Sequence, residues 1–395
     1  MSGERPAKGG KKRSANARAQ SRRPHFGHVF LTGYPGFIGK RLARRLLEED
    51  SRARLTLLVQ EKFAKSADDY LRAMPASMSS RARIVVGDVA KMDLGLSGPE
   101  IDDLTSKVTH LFHLAAVQYL GAPREEHERV NVGGTRNVLT LAREMKQLER
   151  LVHFSSCYVS GDRVGVITED ELDEGQRFRN AYEETKFRAE KLARASMEAL
   201  PVTVLRPSIV VGDSETGEID RFDGIYGMGI LLVTSPISVP LPLPGDGVAP
   251  LHVVPVDFVT RAAIALAQDP RAVGGTYHLV DPNPLSSRRV YELIAERAGK
   301  KLPRVTLSYS VARRLLRIPI LEKYSRVQAQ AIDYLNHFVI YNCANTLAHL
   351  EGTGILCPRF DTYVDNLMKY VSESLRSRGR RALPRGGLAA DPLDA

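Results

Sequence analysis

The chain has 395 residues, 43% of them hydrophobic and 26% charged, which suits a folded protein with one large core or two smaller ones. Its net charge of +10 sits in the tails: residues 1–26 carry eight Lys/Arg and one Glu, residues 374–395 five Arg and two Asp, and residues 27–373 balance to zero. A body without net charge argues against nucleic acid or an anionic membrane as its partner. The three cysteines, Cys157, Cys343 and Cys357, lack metal or disulfide spacing and fit a reducing, cytoplasmic setting.

In chain order, residues 1–26 are a basic tail with Gly9-Gly-Lys-Lys-Arg13 and Arg22-Arg23, expected to be a disordered, solubilising arm without a signal peptide's apolar stretch. Val29-Phe-Leu31 then predicts a short strand, and Gly33, Gly36 and Gly39 follow at three-residue spacing. Phe37, Ile38, Leu42, Leu46 and Leu47 recur with helical period. A strand, a tight glycine turn and a helix make a dinucleotide cradle, because the turn lets backbone approach a pyrophosphate and the helix N-terminus presents free N–H groups to it.

Arg54–Val59, Ile84–Val86, Leu111–Ala116, Leu151–Phe154 and Val202–Leu205 predict five further strands. The helix after the fourth strand holds Val130, Val138, Leu141 and Met145 on one face, and a long helix is expected over Asn180–Ala199. Strands alternating with helices of this length form parallel βαβ units with right-handed crossovers, hence a doubly wound α/β sheet. Residues 224–245 are uncharged and carry Pro236, Pro240, Pro242 and Pro244, so an irregular apolar wall is expected, either a packed loop or dimer contact or a substrate surface. Asp257 reads as the N-cap of a helix over Phe258–Ala267, and Thr276–Val280 as a returning strand. Residues 286–299 and the 310–370 region read as mostly helical. No apolar run reaches membrane-spanning length.

Tyr182 and Lys186 stand four apart, on one face of the long helix. A free tyrosine titrates near pH 10, too high for efficient proton exchange at neutrality. A lysine cation about 4 Å away, at an effective dielectric of about 20, supplies about 4 kcal/mol and is expected to lower that value by about three units. Ser155-Ser156 closes the fifth strand at the edge where open α/β sheets bind ligands. Cys157 reads as a small buried filler, the Glu169-Asp-Glu171 and Asp173-Glu174 run as a solvated acidic loop, and His113, His153 and His252 show no metal-ligand grouping.

Together, Thr32-Gly33-x-x-Gly36-x-x-Gly39, Gly87-Asp88-Val89, His113-Leu-Ala-Ala116, Asn131-Val-x-Gly134-Thr135, Ser155-Ser156, Tyr182-x-x-x-Lys186 and Arg206-Pro207 resemble the extended short-chain dehydrogenase/reductases over residues 28–370. Arg206-Pro-Ser-Ile-Val-Val211 and Val254-Pro-Val-Asp-Phe-Val259 make the chain most similar to the thioester reductase and fatty acyl-CoA reductase branch, the male-sterility type. The resemblance implies a Rossmann core over 27–205, completed by about 251–280, and a smaller, mostly helical substrate subdomain over 206–250 and 281–373. It implies Ser156, Tyr182 and Lys186 as the catalytic trio, with Asn131 supporting a proton relay through water. It also implies an NADP or NAD site lined by Thr32, Gly33, Tyr34, Pro35, Gly36, Phe37, Ile38, Gly39, Asp88, Val89, Leu114, Ala115, Ala116, Pro207 and Ile209, besides Tyr182 and Lys186. Where the branch usually shows an arginine after strand two, this chain has Gln60, Glu61 and Lys62. A neutral Gln60 and a cationic Lys62 favour the 2′-phosphate of NADP.

The implied activity is NAD(P)H-dependent reduction of a carbonyl, foremost an acyl thioester, to aldehyde or alcohol, with no metal. Dehydrogenation of a hydroxylated lipid or sterol uses the same machinery. A nucleotide-sugar epimerase is a rival, whereas Cys157-Tyr158 stand where a sugar dehydratase needs an acidic pair. A non-catalytic nucleotide sensor on this fold is a rival of another class, although such proteins typically lose the Tyr/Lys pair kept here.

Overall fold

A computed structural model describes residues 25–220, 246–299 and 334–378. Apolar runs of four to six residues pair side by side into a seven-stranded parallel sheet. Its strands are β1 (His28–Thr32), β2 (Arg54–Val59), β3 (Ala82–Val86), β4 (His110–His113), β5 (Arg150–Phe154), β7 (Val202–Pro207) and β10 (Thr276–Leu279). The order is β10-β7-β5-β4-β1-β2-β3, so chain direction across the sheet reverses between β1 and β4. At such a switch point the connecting loops diverge and leave a crevice at the carboxyl ends of the strands. The Rossmann-type α/β fold expected from the sequence is present.

Alternation along the strands divides the core between the two faces of the sheet. Val29, Leu31, Phe112, Val152 and Phe154 face α1 (Phe37–Glu49), while Phe30, Leu111, Leu151, Val202 and Val204 face the opposite helical layer. That layer includes α3 (Gly98–Lys107), α4 (Thr135–Glu144) and α5 (Ala181–Ala195), whereas α2 (Ala64–Arg72) follows β2. A capping box closes the start of α3, where Glu100 accepts from the Ser97 N–H at 2.8 Å. α6 (Val256–Gln268) packs beside α1, with Phe258, Val259 and Ile264 in that core. A third apolar cluster joins the parallel pair β8 (Ile209–Val211) and β9 (Val253–Pro255) to α7 (Ser287–Arg297) and α9 (Phe360–Arg378), through Val211, Val253, Leu293 and Val364.

Several expectations change. The helix over the fourth crossover opens with a π turn, Glu128–Gly134, before α4, and the long helix ends at Ala195 rather than Ala199. α6 begins at Val256 after Pro255, so Asp257 lies inside its first turn and is not the cap. Its carboxylate instead accepts from the backbone N–H and hydroxyl of Ser214, both at 2.8 Å. The 310–370 region is not simply helical: β11 (Val339–Tyr341) pairs in parallel with the short β6 (Gly165–Ile167), and α8 (Ala344–Leu350) follows. Neither strand carries a local signal, since each is three residues long and finds its partner about 174 positions away. The expected tails are shorter than 1–26 and 374–395, since Phe26 is buried in the core and residues 374–378 continue α9; residues 1–24 and 379–395 and the apolar stretch 224–245 lie outside the described residues.

Candidate active site

The glycine turn follows β1. Gly33 has φ +86°, and a Cβ there would stand 2.8 Å from the Ala115 backbone nitrogen. A Cβ on Gly39 would stand 2.4 Å from the Gly33 carbonyl oxygen. Only glycine allows the turn to close this tightly on α1 and on the loop after β4. α1 begins at Phe37 with Gly36 as N-cap and no side-chain cap, which leaves its first-turn N–H groups to a ligand. Such a cradle fits a dinucleotide pyrophosphate.

Side chains around the turn brace it. Thr32 Oγ1 lies 2.8 Å from His113 Nδ1 and accepts from the N–H groups of Leu114 and Ala115, tying β1 to the loop Leu114-Ala115-Ala116. The Tyr34–Pro35 bond is cis, and Tyr34 is buried with its hydroxyl on the Ala67 carbonyl at 3.3 Å, so only its backbone faces the crevice. Phe37 packs against the third cluster and carries the Arg41 guanidinium 4.3 Å from its ring centroid, while Ile38 packs under the sheet. Asp88 turns back to accept from the Ala90 N–H at 2.9 Å, and Val89 is buried against Gly134. Gln60 follows β2 directly, and Lys62 is exposed one short turn later, its ammonium 5.2 Å from the Phe63 ring centroid. Pro207 ends β7, and Ile209 opens β8.

The expected catalytic groups gather at the carboxyl edge of β5. Asn180 caps α5, accepting from the Glu183 N–H at 2.9 Å, and the first turn of that helix presents Tyr182. Ser156 accepts from the Tyr158 N–H at 3.3 Å, and its hydroxyl acts on the neighbouring Tyr182. The tyrosine does not move toward neutrality as expected. Loss of water around the phenol pushes it up to about 12, the neighbouring Ser156 hydroxyl pulls it down, and Glu183 and Cys157 add to the rise. Burial, which helix spacing cannot report, is the largest influence, and Lys186 does not offset it. Lys186 instead donates to the Phe154 carbonyl at 2.5 Å and is itself lowered to about 8, by burial against the opposing pull of Glu190.

Asn131 is buried with every side-chain group engaged. Its Oδ1 accepts from the Val117 N–H at 2.8 Å, and its Nδ2 donates to the Val117 carbonyl at 3.1 Å and to Thr185 Oγ1 at 3.0 Å. It fastens the loop after β4 to α5.

Beneath this edge runs a buried polar belt that the sequence reading missed. Because β1, β4, β5 and β7 are in parallel register, Thr32, His113, His153, Ser155 and Arg206 all face the α5 side of the sheet. His113 bridges Thr32 and Thr135, and burial lowers it to about 3. Glu190, four residues after Lys186, pairs with Arg206 at 2.7 Å, a spacing that could have singled it out on the helix face. The acidic loop is also not solvated throughout. Glu169 is 2% exposed and accepts from the N–H groups of His278, Asn345 and Thr346 and from the Thr346 hydroxyl, at 2.6–3.1 Å. Three backbone donors aimed at one point make a carboxylate the fitting occupant there, although burial is the largest influence on Glu169 and raises it. Cys157 is a buried filler, its thiol 3.0 Å from the Arg206 carbonyl, as expected. No His/Cys/Asp/Glu group among the described residues is arranged to hold a metal ion, and no helix among them is long and apolar enough to cross a membrane.

Residues 31–263 match the NAD-binding family described as male sterility protein. Among curated proteins, the fatty acyl-CoA reductase wat of Drosophila melanogaster is 29% identical over 282 residues, covering 61% of this chain and 54% of that protein. The large subunit of L-2-aminoadipate reductase from Penicillium chrysogenum is 28% identical over 306 residues, covering 70% of this chain and 21% of that protein. The chain thus spans about half or less of the length of these relatives. Among solved structures, the terminal R domain from the myxalamid PKS-NRPS biosynthetic pathway superposes with a TM-score of 0.75 at 28% identity, covering 90% of this chain and 92% of that one.

Proposed function

The chain belongs to the male sterility family of NAD-binding proteins, and from that premise we propose that it is an NAD(P)H-dependent oxidoreductase that reduces an acyl thioester through Ser156, Tyr182 and Lys186. The observation that carries this reading is that Lys186 of α5 reaches the Phe154 carbonyl at 2.5 Å, which brings the tyrosine–lysine helix to the carboxyl end of β5, two residues from Ser156, at the sheet edge where the glycine turn opens. Residues 27–205, with 251–280, would form the cofactor half, and 206–250 with 281–373 the substrate half.

When bound, the nicotinamide cofactor supplies a hydride to the carbonyl carbon of the substrate. Gly33, Gly36 and Gly39 would admit its pyrophosphate, and Gln60 and Lys62, following β2, would hold the adenosine ribose, where a neutral amide and a cation favour NADPH. Tyr182, held neutral at physiological pH by its desolvation, is in the right state to give a proton to a developing oxyanion. Ser156 donates a second hydrogen bond to that oxygen. Lys186 orients the ribose and keeps a positive charge near the tyrosine. With an acyl thioester the product of addition is a hemithioacetal, which collapses to an aldehyde as the thiol leaves. The likeness to a fatty acyl-CoA reductase and to a terminal R domain supports a thioester over a sugar nucleotide as substrate.

The test follows NADPH oxidation with acyl-coenzyme A esters of increasing chain length, simple aldehydes, ketosteroids and nucleotide sugars. Turnover of the thioesters, rising with chain length, is expected. Tyr182→Phe should lower kcat at least about a hundredfold while NADPH binding changes little. Activity confined to nucleotide sugars would overturn the substrate assignment.

A further inference from the structure

Glu190 is fully buried on α5, one turn beyond Lys186. Its carboxylate receives Arg206 Nε at 3.0 and 3.1 Å, Arg206 Nη2 at 2.7 Å, Arg194 Nε at 2.8 Å and Ser155 Oγ at 2.5 Å. Arg206, 1% exposed, also donates to the carbonyls of Glu169 and Glu171 and approaches His278 Nε2 at 3.1 Å. A buried ion pair is weak evidence for stability, because apolar residues of equal volume often serve as well. A cluster this large beneath a reacting edge therefore calls for another role.

Two connections reach the site. Ser155 precedes Ser156, so the Ser155–Glu190 hydrogen bond fixes the segment that aims the Ser156 hydroxyl. Glu190 is also the one acidic group acting on Lys186 among the described residues. From the strands, Lys186 is faced by His113 of β4 and His153 of β5, whose rings lie 5.5 Å apart, and neither offers a negative charge. Glu190 itself is faced by Arg194 on its own helix, Ser155 and Cys157 after β5, Arg206 of β7 and His278 of β10.

We propose that Glu190 is a positioning residue of this site, coupling the serine end of β5 to the tyrosine–lysine helix and supplying the negative charge that keeps Lys186 cationic. The inference rests on the reductase reading above, in which Lys186 acts as a cation.

Glu190→Gln keeps the shape of the side chain and removes the charge. With NADPH and octanoyl-coenzyme A, the alkaline limb of kcat should move at least about one unit toward acid, a loss of about tenfold at pH 9, with KM little changed. Carbon-13 NMR of the lysine ε-carbons in the cofactor-free protein should show Lys186 titrating lower by the same shift. Glu190→Asp, which retains the charge, should restore both. Where Glu190→Gln does not fold, Glu190→Gln with Arg194→Gln removes one cation with the anion and should show a smaller shift in the same direction. An alkaline limb and a lysine titration equal to those of the wild type overturn the proposal, even if kcat has fallen. The reductase reading fails separately, if Tyr182→Phe remains active, and the lysine titration still reports on Glu190 in that case.

Discussion

The two ends of the crevice are built by opposite means. At the glycine turn, side chains are missing where bulk would intrude, and Gly39 leaves no room for even a methyl group beside the Gly33 carbonyl. At the β5 edge, large polar side chains are packed in, and Lys186, Glu190 and Arg206 are each no more than 5% exposed. The first end costs little beyond the flexibility of its glycines. The second desolvates charge and is held by partners that must all be present. On the proposed reading, binding surface comes from backbone and reactivity from buried charge.

Lys186→Met tests that contrast most strongly. The folded amine titrates near 8 against an ordinary 10.5, so between those values the unfolded chain binds more protons and stability rises with pH. Below pH 8 the charged amine costs the fold about 3 kcal/mol. Turnover should fall at least about a hundredfold, while the melting temperature at pH 7 rises. A lower melting temperature would show that the Phe154 contact outweighs the desolvation. Next in size, Glu169→Gln turns an amide toward backbone N–H donors and should cost about 3 kcal/mol in urea unfolding. A loss under about 1 kcal/mol would mean that the belt tolerates mismatched partners. Smallest, Gly39→Ala at the other end should displace the turn and cost NADPH binding about 1–3 kcal/mol, a loss of affinity of about 5- to 150-fold by fluorescence titration. Unchanged affinity would show that the turn can shift, and would blur the distinction between the ends.

What could be read from the sequence follows the same division. The glycine turn and Tyr182–Lys186 are local patterns, and the parallel sheet follows from alternating strands and helices, so spacing alone exposes them. Glu169 contacts Asn345 and Thr346, and β6 pairs with β11, across more than 170 residues, where no local pattern reaches. The charge of Tyr182 was misjudged for a related reason, because helix spacing gives the distance to a lysine but not the loss of water around a phenol. The helix cap lies two residues before Asp257, since Pro255 can precede a helix as well as an acidic cap can.

The long-range anchoring of Glu169 also orders events during synthesis. A ribosome releases the strand ending at Ile167 and the carboxylate beside it long before residues 345 and 346, which supply two of its backbone donors. Until those residues emerge, the nascent chain holds β1, β4, β5 and β7 without the Asn345 and Thr346 donors to Glu169 and without the strand that pairs with β6. The glycine cradle can therefore mature early, domain-fashion, while the reacting edge is completed only when the last third of the polypeptide arrives. A chain stalled partway would bind dinucleotide before it could use it.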